Sequence, residues 1–311
     1  MYVPFLNGRA EEMLALTEIR ASLAAHGRVV PLIEPVKLGD RLHKKLELLR
    51  AAGAKSMVIA NPTRGDLSTP AQQASAVAFL APDLADVARV RAVFRESASQ
   101  GRAELRTFLA TYVGPVGVVL TTNLITESDL ATEVAGRDFI VFFTPSMDAS
   151  KFATLIPRNR TINVVQNFRV RAPNKEYVGV SDEAYSDDLT KWKASGLAGF
   201  ADYTVLGTTY AEGGSGAVAL AIHMTFMAGT ALRVQHFASD AGARGDNPPK
   251  WLALLKELED TIAANPSRFD TTAGLAKFRT QYAARDFTSP ASSKRQQIMH
   301  HLQTVAARMT I

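Results

Sequence analysis

Short runs of apolar residues recur along the chain, and amphipathic segments separate them. There are eight such runs, and most are continuous rather than alternating, which is typical of strands that are buried on both faces. They lie at residues 2–6, 29–36, 56–62, 116–122, 139–145, 161–168, 203–207 and 217–226. Amphipathic helical patterns occupy 11–25 and 41–51, and a third begins at Thr126. Strands that alternate with helices predict βαβ units, and eight strands predict a (β/α) barrel.

Two stretches depart from a regular barrel. Residues 63–112 are polar-rich and helical in pattern, which predicts an insertion after the third strand. The gap between residues 207 and 217 is too short for a crossover helix, because parallel neighbours need about a dozen residues between them. The last two runs, with a further run at 231–239, are therefore predicted as an antiparallel meander. The predicted fold is an irregular TIM-like α/β barrel with an antiparallel end; an open α/β sheet with such an end is the alternative.

The composition of the chain changes after Asp240. Residues 240–249 have the glycine and proline content of a loop or linker. Three helical patterns follow, at 250–264, 271–284 and 293–309. The sequence thus predicts a barrel-like domain over 1–240 and a helical C-terminal extension over 241–311 that packs on it.

Charge and cysteine content limit the classes of function. The 311 residues include 35 basic and 30 acidic side chains, so the net charge is +5, a mild excess that permits an anionic ligand or a nucleic acid but is also common in basic enzymes. There is no cysteine, which excludes disulfides, thiolate catalysis and cysteine metal sites. No apolar run reaches the roughly 18 residues of a membrane helix, and the first residues lack the pattern of a signal peptide. We expect a soluble, cytoplasmic protein with no membrane partner.

Polar side chains collect where the predicted strands end, which is where parallel α/β folds place their functional groups. Arg9 and Glu12 follow the first strand. Glu34 and Lys37 close the second. The remaining candidates at or near later strands are Asn61, Asn167, Asp202, Tyr203 and His223.

Each candidate also has a purely structural interpretation. Arg9 and Glu12 lie three apart, so they form either a local ion pair or an anion site beside free backbone N–H groups. Glu34 lies in an apolar run and needs a partner such as Lys37 or Arg9 if it is buried, or it acts as a catalytic group or metal ligand. Asp202 is predicted at the start of a strand, where aspartate often caps a turn.

His223 lies between apolar residues, as histidines of a hydrogen-bonded core do. Several common motifs are absent from the sequence: G-x-x-x-x-G-K-[ST], G-x-G-x-x-G after a strand, H-E-x-x-H and G-x-S-x-G. P-loop hydrolysis and Rossmann-type cofactor binding are therefore disfavoured.

The order of several motifs resembles the "beta protein" family of phage and bacterial proteins. These motifs are "MYVPFLNGRAEEMLALTEI", "PLIEPVK", "YSDDL", "GFADYTVLG" followed by "EGG", "AVALAIHMTF" and "VQHFASD", and they span residues 1–240. They include seven of the candidate residues: Arg9, Glu12, Glu34, Lys37, Asp202, Tyr203 and His223. The resemblance implies a role in phage–host conflict, either antiphage or phage-encoded. It implies no particular chemistry.

Two hypotheses of function follow, and a structural subunit is a third. In the first, the protein is a metal-dependent phosphoester or nucleotide hydrolase that acts on a nucleotide or nucleic acid. Arg9 and Lys37 would hold the phosphate, Glu34 and Asp202 would bind Mg²⁺ or Mn²⁺ or serve as acid and base, and His223 would move a proton. In the second, the protein is a non-catalytic subunit of a defence complex that senses a ligand or binds a protein partner. Glu12, Asn61, Asn167 and Tyr203 complete the expected ligand-binding set.

Overall fold

The computed structural model describes residues 1–208, 219–240 and 247–309. Its strands, in chain order, are β1 Tyr2–Leu6, β2 Leu32–Ile33, β3 Ser56–Ile59, β4 Val90–Arg95, β5 Val116–Leu120, β6 Phe139–Phe143, β7 Thr161–Val165, β8 Asp182–Ser186, β9 Phe200–Asp202, β10 Ala221–Ala228 and β11 Ala231–Ala238. Eight of them, β1 to β7 and β9, form a closed barrel of parallel strands. The predicted TIM-like α/β barrel is thereby confirmed, and closure between β9 and β1 rules out the open sheet.

The helices, in chain order, are α1 Ala10–Glu18, α2 Arg20–His26, α3 Asp40–Ala51, α4 Pro70–Leu84, α5 Arg102–Thr111, α6 Glu127–Glu133, α7 Asp188–Lys191, α8 Asn247–Ala264, α9 Ala273–Ala284 and α10 Pro290–Arg308. Side-chain caps fix where several of them begin. Thr69 and Gln72 form a reciprocal capping box at α4, and the Thr126 side chain accepts from the Asp129 N–H at α6. In the described residues no helix is long and apolar enough to cross a bilayer.

The pleat of each barrel strand sends alternate side chains into the lumen and into the outer layer. In β1, Val3 and Phe5 belong to the lumen cluster, whereas Tyr2 and Leu6 belong to the larger cluster under the helices. The lumen is filled with branched and aromatic side chains and with Met57, so it is a packed core rather than a pore. Within the barrel, only the two ends can therefore hold a ligand.

A second, smaller sheet lies outside the barrel, with β11 in the middle between β8 and β10. All of its pairings are antiparallel, in agreement with the predicted antiparallel end. The apolar face of β10 packs with α8 and α9 in a separate core that includes Trp251 and Phe278. Helix α10 contacts both this sheet and the barrel helices α1 and α2, so it joins the two parts.

Two predicted elements are wrong in their placement. Residues 63–112 are not a single helical insertion, because they contain the barrel strand β4. The strand was not predicted because Arg91 and Arg95 interrupt its apolar pattern. The eighth barrel strand is β9, which ends just before the predicted strand at 203–207. Residues 204–206 form a turn, so the predicted strand at 203–207 does not exist.

Candidate ligand site at the barrel mouth

Glu34 is the centre of a charged cluster at the carboxyl end of the barrel lumen. It follows the lumen residue Leu32 by two positions, so its side chain continues on the inner face, and it is fully buried. Its Oε2 lies 3.1 Å from Nη1 of Arg95 and 3.2 Å from Nε of Arg64. Its Oε1 accepts from the N–H and hydroxyl of Thr63, at 3.0 and 3.1 Å. Glu34 is thus a charged anchor for two arginines.

Amides and one aromatic ring hold the two arginines in place. Arg64 also donates to Oδ1 of Asn7. The backbone of Arg95 exchanges two hydrogen bonds of 2.8 Å with the Asn61 side chain. Both guanidinium groups lie over the Phe5 ring, with their carbons 5.9 and 5.8 Å from its centroid. The arginine positions are therefore set before any ligand arrives.

We call this set the barrel mouth; it comprises Asn7, Glu34, Asn61, Arg64, Arg95 and Tyr203. The Tyr203 ring stacks on Phe5 at 5.2 Å, and burial raises the pKa of its hydroxyl. Two cations face one carboxylate, so the mouth carries a net positive charge. Each guanidinium has five N–H donors, more than Glu34 and Asn7 use. The mouth can therefore accept an anion.

The predicted partners of Glu34 are wrong. The Lys37 side chain is 78% exposed and lies 3.8 Å from Asp66 instead. Arg9 precedes α1 and acts on Glu12, whose Oε2 accepts the Asn7 N–H at 2.5 Å. Burial raises the pKa of Glu12 to about 7, against the opposing effects of that hydrogen bond and of Arg9. Arg9 thus acts on Glu12 electrostatically, and the local ion pair expected from their spacing stays a prediction.

Lys37 and Arg9 instead border a groove of about 770 Å³ beside the mouth. We call it the basic groove; its charged side chains are Arg9, Lys37, Arg41 and Lys45, with Asp40 and Asp66. Helices α1 and α3 both begin here, and neither has a side-chain cap on its first N–H groups. Gly8 lets the two loops meet: its φ is +61°, and a Cβ there would lie 2.9 Å from the Glu34 carbonyl oxygen.

Asp202 is not part of the mouth. It is the last residue of β9, not the first of a strand, and its neighbours Ala201 and Tyr203 occupy the lumen. Its own side chain therefore faces the outer layer. There it accepts from the Tyr2 hydroxyl at 2.7 Å and from the Thr204 N–H at 2.8 Å. The Asn167 amide is 3.4 Å away, so this predicted ligand-binding residue also serves Asp202.

His223 lies farther away, in β10 of the small sheet. Its Nδ1 is 2.8 Å from Nδ1 of His236, and its backbone N–H donates to Gln297. Burial lowers its pKa well below the ordinary value for histidine. The three groups predicted to act together, Glu34, Asp202 and His223, thus occupy three separate environments. Within the described residues, no group of three or more acidic, histidine or cysteine side chains is arranged to hold a metal ion.

Sequence reasoning missed Arg95 and gave no role to Arg64. Arg91 and Arg95 are four apart in "VRAVFR", so the period of two places both on the lumen face, at opposite ends of β4. That signal was present in the sequence but was obscured by the helical reading of 63–112. Glu96, fully buried on the outer face, was also missed; it accepts three backbone N–H groups, from Thr121, Thr122 and Ile125.

Comparison with known proteins adds no identity to this geometry. No protein-family model matches the chain, and a search of curated proteins finds no match.

Proposed function

We propose that this protein binds a phosphate-bearing ligand, such as a nucleotide or a nucleic acid, in the basic groove and at the barrel mouth. The observation that carries the proposal is the pair Arg64 and Arg95, held by one buried carboxylate beside an open groove. Guanidinium groups fixed in advance bind phosphate oxygens without a further ordering cost. The resemblance to the beta protein family supports a setting of phage–host conflict.

The walls of the groove support the same ligand class. Four of its charged side chains are basic and two are acidic. The uncapped first turns of α1 and α3 add N–H donors and the positive ends of two helix dipoles. Because the loops after β1 and β2 line both the groove and the mouth, one extended anion can contact both.

The separation of the candidate catalytic groups supports binding rather than metal-dependent hydrolysis. A hydrolase of the predicted kind needs Glu34 and Asp202 on one metal ion, with His223 within reach of the same ligand. Glu34 is instead engaged by two arginines, and Asp202 by Tyr2 and a backbone N–H. We infer a ligand-sensing module, which is the second of the two hypotheses drawn from the sequence.

Calorimetric titration with inorganic phosphate, a nucleoside triphosphate and a short single-stranded oligonucleotide tests this function. The double variant K37E/R41E reverses two exposed charges of the groove. The matched control K256E/R279E reverses two exposed charges on α8 and α9. We expect the groove variant to weaken binding by roughly tenfold or more, and the control to stay within about twofold.

The salt dependence of binding provides a second readout. For an ion-paired phosphate, the association constant falls as the salt concentration rises, and the groove variant reduces that slope. Equal losses in both double variants would show non-specific attraction to a basic protein and would refute the site. Absence of binding to all three probes would refute the proposed function.

A further inference from the structure

A second cavity, of about 120 Å³, lies apart from the barrel mouth, between the small sheet, α8, α10 and the loop after β7. We call it the histidine cavity; its walls include Phe168, Tyr177, His223, Trp251, Lys294 and Gln297. Neither the barrel mouth nor the basic groove uses these side chains. The hydrogen bonds behind its wall determine what it can bind.

The position of one proton follows from Glu183. Arg171 donates to both carboxylate oxygens, and this ion pair lowers the pKa of Glu183 to about 2. Glu183 is therefore ionised at neutral pH and can only accept hydrogen bonds. Nε2 of His236 lies 3.1 Å from Oε2 of Glu183, so that nitrogen carries the proton.

The position of a second proton follows from the first. Burial lowers the pKa of both His236 and His223, so each ring is neutral and has a single N–H. His236 has its proton on Nε2, so its Nδ1 has a lone pair. The 2.8 Å contact between the two Nδ1 atoms then requires His223 to donate. This leaves Nε2 of His223, on the other edge of the ring, as an acceptor toward the cavity that the ring lines.

The ring of His223 is also fixed in orientation. It packs on Tyr177 and Phe168, with centroids 4.5 and 4.9 Å apart. Its backbone N–H donates to Oε1 of Gln297 at 2.9 Å. An acceptor held in this way is directional rather than adaptable.

Trp251 closes the cavity on the side of α8, where it is 1% exposed. Its indole Nε1 is buried away from solvent and has no hydrogen-bond partner among the described residues, so that N–H is not open to the cavity. Trp251 therefore contributes an apolar ring surface rather than a hydrogen-bond donor.

We infer that the histidine cavity is a second binding site, which takes a single planar ring with a hydrogen-bond donor for His223. An apolar cavity of about 150 Å³ holds one benzene molecule, so this smaller cavity takes at most one ring and excludes a fused bicycle. Aromatic walls favour a flat ligand. A ring N–H of a pyrimidine base has the required chemistry, and uracil is the probe of choice.

The test combines two ring ligands with a variant that keeps the aromatic shape. Uracil and benzene are titrated into the full protein and into His223→Phe. We expect the variant to weaken uracil binding roughly tenfold or more while benzene binding changes little. Unchanged uracil affinity in the variant, or no uracil binding by the unaltered protein, would overturn the inference.

A spectroscopic readout keeps the test valid if a variant folds poorly. Imidazole ¹⁵N NMR of the unaltered protein distinguishes protonated from unprotonated ring nitrogens. We expect His223 to show an unprotonated Nε2 whose signal moves when uracil is added. A proton on that Nε2 in the free protein would overturn the hydrogen-bond argument. Phosphate titration of K37E/R41E is a separate measurement, so failure here leaves the basic groove untouched.

Discussion

Glu34 and Asp202 are two buried carboxylates at the same end of the same barrel, and their surroundings are opposite. Glu34 faces the lumen and meets two guanidinium groups. Asp202 faces the outer layer and meets neutral donors, the Tyr2 hydroxyl and the Thr204 N–H. His301 of α10 lies 3.9 Å from Asp202, but burial lowers the pKa of that histidine and opposes its protonation.

The two carboxylates show that burial alone does not mark a functional site. Asp202 has a structural role. Its hydrogen-bond donors come from β1 and from the turn after β9, so the carboxylate links β9 to the neighbouring strand. The negative charge of Glu34 is neutralised by its two arginines. These arginines keep unused N–H donors and one excess positive charge. The sign of the charge that remains around a buried group, rather than the group itself, indicates what can bind there.

The largest effect is expected when the charge of Glu34 is removed. Glu34→Gln leaves two arginines, 17% and 11% exposed, with no counter-charge. We expect the free energy of unfolding to fall by about 3–5 kcal/mol, because one partner of a buried ion pair is removed. Urea denaturation measures this loss. A loss below about 1 kcal/mol would mean that solvent already screens the cluster.

The raised pKa of Glu12, which lies beside the barrel mouth, predicts a pH dependence of the stability. The unfolded chain releases this proton near its ordinary pKa of 4.5, whereas burial raises the folded pKa to about 7. The folded state therefore binds more protons between these values, and its stability falls as the pH rises through them. The contribution is about 3 kcal/mol, fully present below pH 4.5 and lost above about pH 7.

The variant Glu12→Gln removes that titration. We expect its free energy of unfolding to lack this fall between pH 5 and about 8, and to exceed that of the unaltered protein at the upper end. Denaturation in urea at a series of pH values measures the difference. Parallel stability curves for the two proteins would contradict a raised pKa at Glu12.

The smallest effect is expected at Asp202. Asp202→Asn keeps one oxygen acceptor of the same shape for the donors of Tyr2 and Thr204, and it strands no buried cation. We expect a loss of about 1–2 kcal/mol, the cost of weakening charge-assisted hydrogen bonds. Phosphate affinity should not change, because the residue lies outside the mouth. A loss as large as that of Glu34→Gln, or a change in affinity, would erase the contrast between the two carboxylates.

Part of the barrel follows from local pattern. Continuous apolar runs in β1, β3, β5 and β6 were sufficient to predict parallel strands. β4 was hidden because its two arginines face the lumen ends, where charged side chains are tolerated only by pairing across the barrel. The predicted burial of Glu34 was correct, and its partners were wrong because Arg64 and Arg95 are 30 and 61 positions away in sequence.

The class of fold, the antiparallel end and the polar residues near strand ends could all be predicted from the amino-acid sequence. These features depend on the periodicity of neighbouring residues, which a single chain displays directly. Which of the candidate residues share a site depends on the tertiary structure. Closing the barrel sets which side of each strand faces the lumen, and docking α10 sets what the outer face meets. Glu34 was thereby joined to two distant arginines and Asp202 to Tyr2, pairings between residues too far apart in sequence for any local pattern to record.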